Sequence, residues 1–529
     1  MRLNKYWIAF KDKKGSPYQI NAPADFLSTR ALERRQVANI PITEADLPLA
    51  PAYLKAVENV GGVYHNCSKW LNAATFILDA ETADFVRTMP FVEEVRYLGP
   101  HLKVRNPPDR PTKQRPLRTS YPQPGGKQFP WGYATRQNAR LNTHVLHLLG
   151  ARGAAKQIAV FDGGFNKADE MSFFDSVALQ GRLLVGRDFT ERDNAVFEDA
   201  FHGTTVLSLM ASNLPGYFIG TAPDATYILF KTEEFNGEYP TEEANWVAAA
   251  EWADSAGIDI INSSLGYFIY SDTTLGLSKS ALDGRTSIVA RGAAAAAERG
   301  MIVCVSAGNE GNKAWKIIST PADAPGVIAV GATGVESGTA DFSAYGPTAD
   351  GRIKPDLLAP GDGVSVSKYK DIDLDLSSGT SLASPMLAGS IAALWSAYPE
   401  KTAKEIMDAV FESADHFARP DNHNGYGTPD MAAAWLRLGG YNTLQGEWPQ
   451  HPYVYDAESG ELSIPVWREG IPEETVFFLR DCLGRRTEIR TPEWSDSVIS
   501  TLKIKDLKNL PAGFYWLGCE GWMGAFQLP

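Results

Sequence analysis

The run QIAVFDGGF, residues 157–165, poses the question on which the fold turns. Ile158, Ala159, Val160 and Phe161 form a short apolar run without polar alternation, the pattern of a strand buried on both faces. The run ends in Asp162 beside Gly163 and Gly164, so a carboxylate stands where a buried strand opens into a loop. Taken alone, Asp-Gly is ordinary turn chemistry. Its neighbours decide between a turn and a site.

Outward from this run the same pattern repeats. TYILFK (226–231), DIINSSLG (259–266), MIVCVSAG (301–308) and GVIAVGA (326–332) are short apolar stretches, most of them ending in Gly, Asp, Asn or Ser. Between them lie Ala-rich helical stretches, EANWVAAAEWADSAG (243–257) and GRTSIVARGAAAAAERG (284–300). Strands alternating with helices predict an α/β domain with a doubly wound, mostly parallel sheet. Ligands of such sheets sit beyond the carboxyl ends of the strands, where the polar residues fall here.

Residues 1–103 predict a smaller α+β unit. KYWIAF, NAATFILDA and VEEVRYL read as strands, and ADFLSTRALERRQVAN, PAYLKAVENV and ETADFVRTM as helices. Residues 104–132 carry seven prolines and Gly125-Gly126, which predicts an extended, protease-accessible linker. Residues 133–440 hold the α/β pattern. In 441–529 helices give way to ELSIPVW, TVFFLRD, VISTLKI and GFYWLGC, which predict a small antiparallel β-sandwich.

At 529 residues the chain has room for several domains, and 44% hydrophobic residues is an ordinary globular composition. The formal charge of −13 argues against a general nucleic-acid or anionic-membrane binder, which needs a basic face. Cys67, Cys304, Cys482 and Cys519 form no CxxC or Cys/His cluster, so no metal site is expected. Whether Cys482 and Cys519 pair is left open. No segment has the apolar length of a membrane span. The opening MRLNKYWIAFKDKKG is not a signal peptide, so the chain is either cytosolic or begins after a removed export signal.

Three further segments carry chemistry. His202 opens HGTTVLSLMA at the entry to an apolar helix, where a lone histidine is more often structural than catalytic. Asn309 follows a strand in VSAGNEGN, either as turn material or as an amide aimed at a developing oxyanion. Ser381 lies in SSGTSLASPMLAG (377–389), where serine can cap the helix that follows. Pro385 does not forbid a helix beginning near Ser381.

Together, AVFDGG, HGTTV, NSSLG, SAGNEG and GTSLASP, in the order Asp162, His202, Asn309, Ser381, resemble the subtilisin-family serine peptidases over roughly residues 135–437. The resemblance implies a secreted serine endopeptidase acting through an acyl-enzyme. Ser381 would be the nucleophile, His202 its base and Asp162 the orienting carboxylate, with Asn309 and the Ser381 N–H as oxyanion donors. It assigns Ser264, Leu265 and Gly266, with Ser306, Ala307 and Gly308, to substrate-binding walls that accept an extended peptide. Their glycines imply a fairly open pocket.

Two departures stand out. Gly163 follows the aspartate where relatives have Ser or Thr, which puts a supporting hydrogen bond in doubt. The loop SNLPGYFIG (212–220) matches poorly the Asn-rich calcium loop of many relatives, so structural calcium is an open but unsupported option there, and the resemblance implies chemistry that needs no cofactor.

The first 103 residues resemble the family's propeptides, nearest at SKWLNAATFILD (68–79), which implies an autoprocessed zymogen inhibited by its own N-terminal unit and cleaved in 104–132. The alternative is a plain spacer. The strands around LGRR (483–486) and LPAGFYWL (510–517) resemble sorting domains of the type IX secretion system, which would act as a partner and place the protein outside the cell or on its surface. The competing reading is a catalytically silent binding module. An α/β-hydrolase esterase is disfavoured, because Gly379-Thr380-Ser381-Leu382-Ala383 breaks G-x-S-x-G at its last position.

Overall fold

A computed structural model describes residues 2–102 and 130–439, Leu507, and the strand segments between 454 and 528. The N-terminal unit runs β1 (Asn4–Phe10), α1 (Thr29–Val37), α2 (Pro51–Asn59), β2 (Val63–Ser68), β3 (Ala73–Leu78), α3 (Ala80–Arg87) and β4 (Val92–Pro100). Its four strands pair antiparallel in the order β2-β3-β1-β4. The two-residue period of β1 divides its side chains between two cores. Tyr6, Ile8 and Phe10 join Val57, Phe76 and Val86 beneath the unit's own helices. Trp7 points the other way, into a cluster shared with the central domain. Strand β2 is unexpected from the sequence, because VYHNCS carries a polar run without apolar alternation.

The central domain continues with α4 (Thr135–Arg140), α5 (Thr143–Leu148), β5 (Gln157–Asp162), α6 (Asp175–Leu179), β6 (Leu183–Asp188), α7 (His202–Ala211) and a short hairpin of β7 (Asn213–Leu214) and β8 (Phe218–Ile219). Then come β9 (Thr226–Lys231), α8 (Thr241–Ala256), β10 (Ile260–Ser263), α9 (Ile288–Glu298), β11 (Ile302–Ser306), β12 (Ile328–Gly334) and β13 (Leu357–Asp362). The hairpin β14 (Val364–Ser367) and β15 (Leu374–Ser377) leads into α10 (Thr380–Ser396), followed by α11 (Ala403–Glu412) and α12 (Met431–Arg437).

Seven strands form the sheet β13-β12-β11-β10-β5-β9-β6, and every pairing in it is parallel. The chain builds β6 and β9 on one side of β5 and then crosses to β10 on the other. Asp162 therefore ends the strand at which the winding reverses, the position where open α/β sheets bind ligands. Helices α7 and α10 cover one face through a core that includes Leu207, Met210, Met386 and Leu387. Helices α8 and α9 cover the other through Trp246, Val247, Val289 and Ala293. The edge strand β6 was not evident in the sequence, because only Asp188 of its six residues is buried. No helix among the described residues is long and apolar enough to cross a membrane.

Beyond the central domain, β16 (Val454–Asp456), β17 (Glu461–Trp467), β18 (Phe477–Asp481), β19 (Arg486–Ile489), β20 (Glu493–Trp494), β21 (Ile499–Ile504), β22 (Gly513–Cys519) and β23 (Trp522–Leu528) form two four-stranded antiparallel sheets. Their orders are β16-β17-β21-β20 and β19-β18-β22-β23. The four strands expected from sequence are present as β17, β18, β21 and β22, each with partners the apolar pattern did not reveal.

Candidate active site

Three strands deliver their carboxyl ends to one edge of the sheet. In register, Phe161 pairs with Ser263 and Ser263 with Val305, so Asp162, Ser264 and Ser306 stand level on adjacent strands. Strand spacing of about 4.8 Å then limits how far apart groups anchored there can lie.

Asp162 is 1% exposed. Its Oδ1 accepts the Gly163 N–H at 2.8 Å, a backbone bond that any residue but proline could make there, and the side-chain hydroxyl of relatives is absent at Gly163. His202 meets the same carboxylate, with Nδ1 2.9 Å from Oδ2 and 3.0 Å from Oδ1. The approach depends on Gly203: a Cβ there would lie 2.4 Å from the Gly164 carbonyl oxygen and 2.9 Å from Asp162 Cβ. Unlike Asp162, the His202 side chain is 43% exposed. The negative charge of Asp162 raises the imidazole pKa above 6.5, against a smaller opposing effect of burial and with added help from Asp162's hydrogen bond and from Glu233. Both contacts run through Nδ1, which leaves Nε2 available for proton transfer.

Ser381 is the second residue of α10. The capping role considered for it falls instead to Gly379, and no side chain caps the helix. Gly379 is fixed by its own N–H, which donates to the Gly361 carbonyl at 2.7 Å. The Ser381 hydroxyl is thus free of capping, while its N–H lies among the first-turn donors that have no intrahelical acceptor. Pro385 sits inside the helix, four residues on, and has no N–H for the Ser381 carbonyl. That carbonyl accepts the Ser264 hydroxyl at 2.8 Å. Asn262 Nδ2 reaches Ser264 Oγ at 3.3 Å and its Oδ1 accepts from Ser384 Oγ at 2.8 Å, so the end of β10 grips the first turn of α10.

Asn309 is oriented by that same turn. Its Oδ1 accepts from the Thr380 N–H at 2.8 Å and from Thr380 Oγ1 at 3.0 Å. A backbone N–H can only donate, so the bonded atom is the amide oxygen and the NH₂ group is directed elsewhere. Thr380 Oγ1 also accepts the Gly308 N–H at 3.1 Å, which ties the end of β11 to the helix.

Two residues at this edge were not singled out in the sequence. Glu233, two positions beyond β9, accepts from Tyr267 at 2.7 Å and from Thr232 at 2.8 Å. Burial and the neighbouring Glu238 push its carboxyl up to about 8. Ser319, 4% exposed, lies between the 264–266 and 306–308 segments. Glu233 lies 31 residues beyond His202 and Ser319 ten beyond Asn309, both on loops outside the quoted motifs. Residues 104–129 of the linker and Cys482 lie outside the described residues.

Comparison with known proteins follows the same division of the chain. A family model described as Peptidase S8, the subtilase family, matches residues 153–427. A second, described as the Peptidase S8 propeptide domain of Bacteroidota, matches residues 5–115. A thermostable alkaline protease of Halalkalibacterium halodurans is 28% identical over 293 residues, covering 55% of this chain and 69% of its own length. Subtilisin NAT of Bacillus subtilis subsp. natto is 25% identical over 423 residues, covering 79% of this chain and 95% of its own. A solved structure of the MycP3 protease from the type VII (ESX-3) secretion system aligns with a TM-score of 0.45 and 22% identity, over 59% of this chain and 90% of that one.

Proposed function

We infer the mechanism from one premise: this chain belongs to the subtilase family of serine peptidases. It is a serine endopeptidase that carries a family propeptide domain at its N-terminus, the arrangement of a zymogen. We propose that Ser381 attacks the scissile carbonyl, that His202 Nε2 takes the hydroxyl proton and returns it to the leaving amine, and that Asp162 holds Nδ1 and stabilises the imidazolium. Asn309 Nδ2 and the Ser381 N–H would receive the oxyanion at the positive end of α10. Water then releases the acyl group by the same steps in reverse. The observation that carries this reading is the pairing of a fully buried Asp162 with a half-exposed His202, one strand away from the Ser264 bond that anchors Ser381.

The N-terminal unit would act as the inhibitor of its own protease. Gly99, near the end of β4, abuts the Tyr239 ring, where an added Cβ would lie 2.9 Å away, so the chain leaves this unit beside the 232–240 loop that borders the site. That position supports cleavage within residues 104–132. The protein would act outside the cell, with the C-terminal sheets serving as a sorting domain for the type IX machinery.

The test compares the purified full-length chain with its Ser381→Ala variant for self-cleavage and casein hydrolysis. Processing and turnover are expected only with serine in place. Equal behaviour of the two would make the fold a binding module.

A further inference from the structure

Strands β6, β9 and β5 lie side by side, and their register sets three charged residues level: Asp188 pairs with Lys231, and Lys231 with Asp162. Level neighbours on parallel strands project from the same face, so the three side chains form one row at the strand ends. Asp162 meets His202. The mechanism above gives no duty to the other two.

Lys231 is 2% exposed, and a buried ammonium is costly unless carboxylates meet it. Its Nζ lies 2.9 Å from Asp188 Oδ2, 2.5 Å from Asp199 Oδ2 and 3.6 Å from Glu198 Oε1. Burial works against its charge, but Asp188 and Asp199 outweigh that effect and keep the amine protonated. The two aspartates secure different things. Asp188 Oδ1 accepts the Thr190 N–H and hydroxyl, both at 2.7 Å, so that leg stays at the sheet edge. Asp199 stands three residues before His202, in the segment that leads into α7. This segment also lies against the loop that follows Asp162. The Asn166 N–H donates to the Ala200 carbonyl at 3.1 Å and Asn166 Nδ2 to the Asp199 carbonyl at 3.2 Å, while a Cβ at Gly164 would lie 2.2 Å from the Glu198 carbonyl oxygen.

We propose that Lys231 is a positioning residue: by tying the 198–199 segment to the end of β9 it fixes the start of α7 and holds the His202 ring against Asp162. Asp162 is fastened to the same place, because its carbonyl accepts the Thr232 N–H at 3.1 Å. Both partners of the pair are thus referred to one strand end. The inference rests on His202 being the base and adds to that reading a residue that acts only through it.

Two variants test it. In a Ser381→Ala background, which keeps the full chain uncleaved, nitrogen-15 NMR of histidine-labelled protein reads the His202 pKa, the signal being the one lost in His202→Gln. His202 is faced by Asp162 and Glu233, which both remain. Lys231→Met removes a cation, which through space can only raise the imidazole pKa, whereas loss of the Asp162 contact lowers it. A fall toward 6.5 is expected, and an unchanged or raised value overturns the proposal. Asp199→Asn keeps the Asp188 leg and so remains informative if Lys231→Met fails to fold. In processed enzyme acting on a soluble peptide, its kcat is expected to fall by about tenfold to a hundredfold with KM within about twofold, the kind of loss a misplacement near 1 Å brings. Thermal melting verifies that the variant is folded. A kcat within about twofold of the wild type in folded Asp199→Asn overturns the Lys231 assignment alone. Turnover that survives Ser381→Ala overturns the triad reading and the positioning argument with it.

Discussion

The contact between the N-terminal unit and α8 buries charge, and so does the cleft at the sheet's edge, but the two leave very different residues. At the contact, Asp254 is 0% exposed and accepts from Arg34 Nη2 at 2.6 Å and from Arg35 Nη2 at 2.7 Å. Asp46 accepts from Arg35 at 3.0 Å and from Arg299 at 2.9 Å, and its second oxygen takes the Thr43 N–H. Burial works against the Asp46 anion, yet Arg35 and Arg299 bring its carboxyl down to about 2. Glu251, buried and raised in pKa by that burial, accepts from Ser68 and from the Lys69 and Trp70 N–H groups. These groups fasten two domains and have little capacity left. In the cleft, Asp162 meets the His202 imidazole, and that ring is open to solvent. Charge whose partners are all supplied by the protein holds structure together, whereas chemistry needs one atom whose next partner is the substrate.

The largest effect should come from the cleft. Asp162→Asn keeps the shape but lets the side chain favour the wrong imidazole tautomer, and kcat is expected to fall by about 10⁴-fold. Steady-state kinetics on a soluble peptide substrate measure it; a loss under about tenfold would mean that Asp162 is no more functional than the carboxylates at the domain contact.

A smaller effect is expected at the contact itself, in stability and not in turnover. Asp254→Asn leaves Arg34 and Arg35 buried beside a neutral amide, a change of the kind that costs about 3–5 kcal/mol. Urea unfolding in a Ser381→Ala background, which keeps the chain uncleaved, reads that loss. A change below about 1 kcal/mol would show that these pairs behave like surface ion pairs.

The smallest effect is a shift along the pH axis. His202 acts as a base only when neutral, and Asp162 holds its pKa above 6.5, so activity should fall as pH drops with a midpoint above 6.5. A raised pKa keeps the imidazolium to higher pH and moves the acid limb upward. A pH–rate profile of kcat/KM measures the midpoint, and one at or below 6.5 would contradict the geometry.

Much of this was legible in the chain. The apolar runs at 158–161 and 302–305 name buried parallel strands because no polar residue interrupts them, and the residues that follow each run land in the site because strand ends do. Edge elements were harder to read. Strand β6 exposes Leu184 and Val185, and β2 passes through His65 and Asn66, so neither has the periodicity that burial imposes. Ser381 was placed at a helix start correctly, while the capping option beside its nucleophile role falls to Gly379, because a cap and a nucleophile share the same sequence context until the capping position is seen.

By itself, the sequence determined the α/β alternation, the order of Asp162, His202, Asn309 and Ser381, and the family those motifs resemble, since each rests on local pattern and spacing. Only the tertiary structure decided that Gly203 lets His202 come up against Asp162, that Ser264 takes up the carbonyl left open by Pro385, and that Thr380 turns the amide oxygen of Asn309 toward its own N–H. The reason is physical. A strand or a helix follows from neighbours along the chain, whereas a hydrogen bond between residues 264 and 381 exists only after packing has brought distant segments into contact.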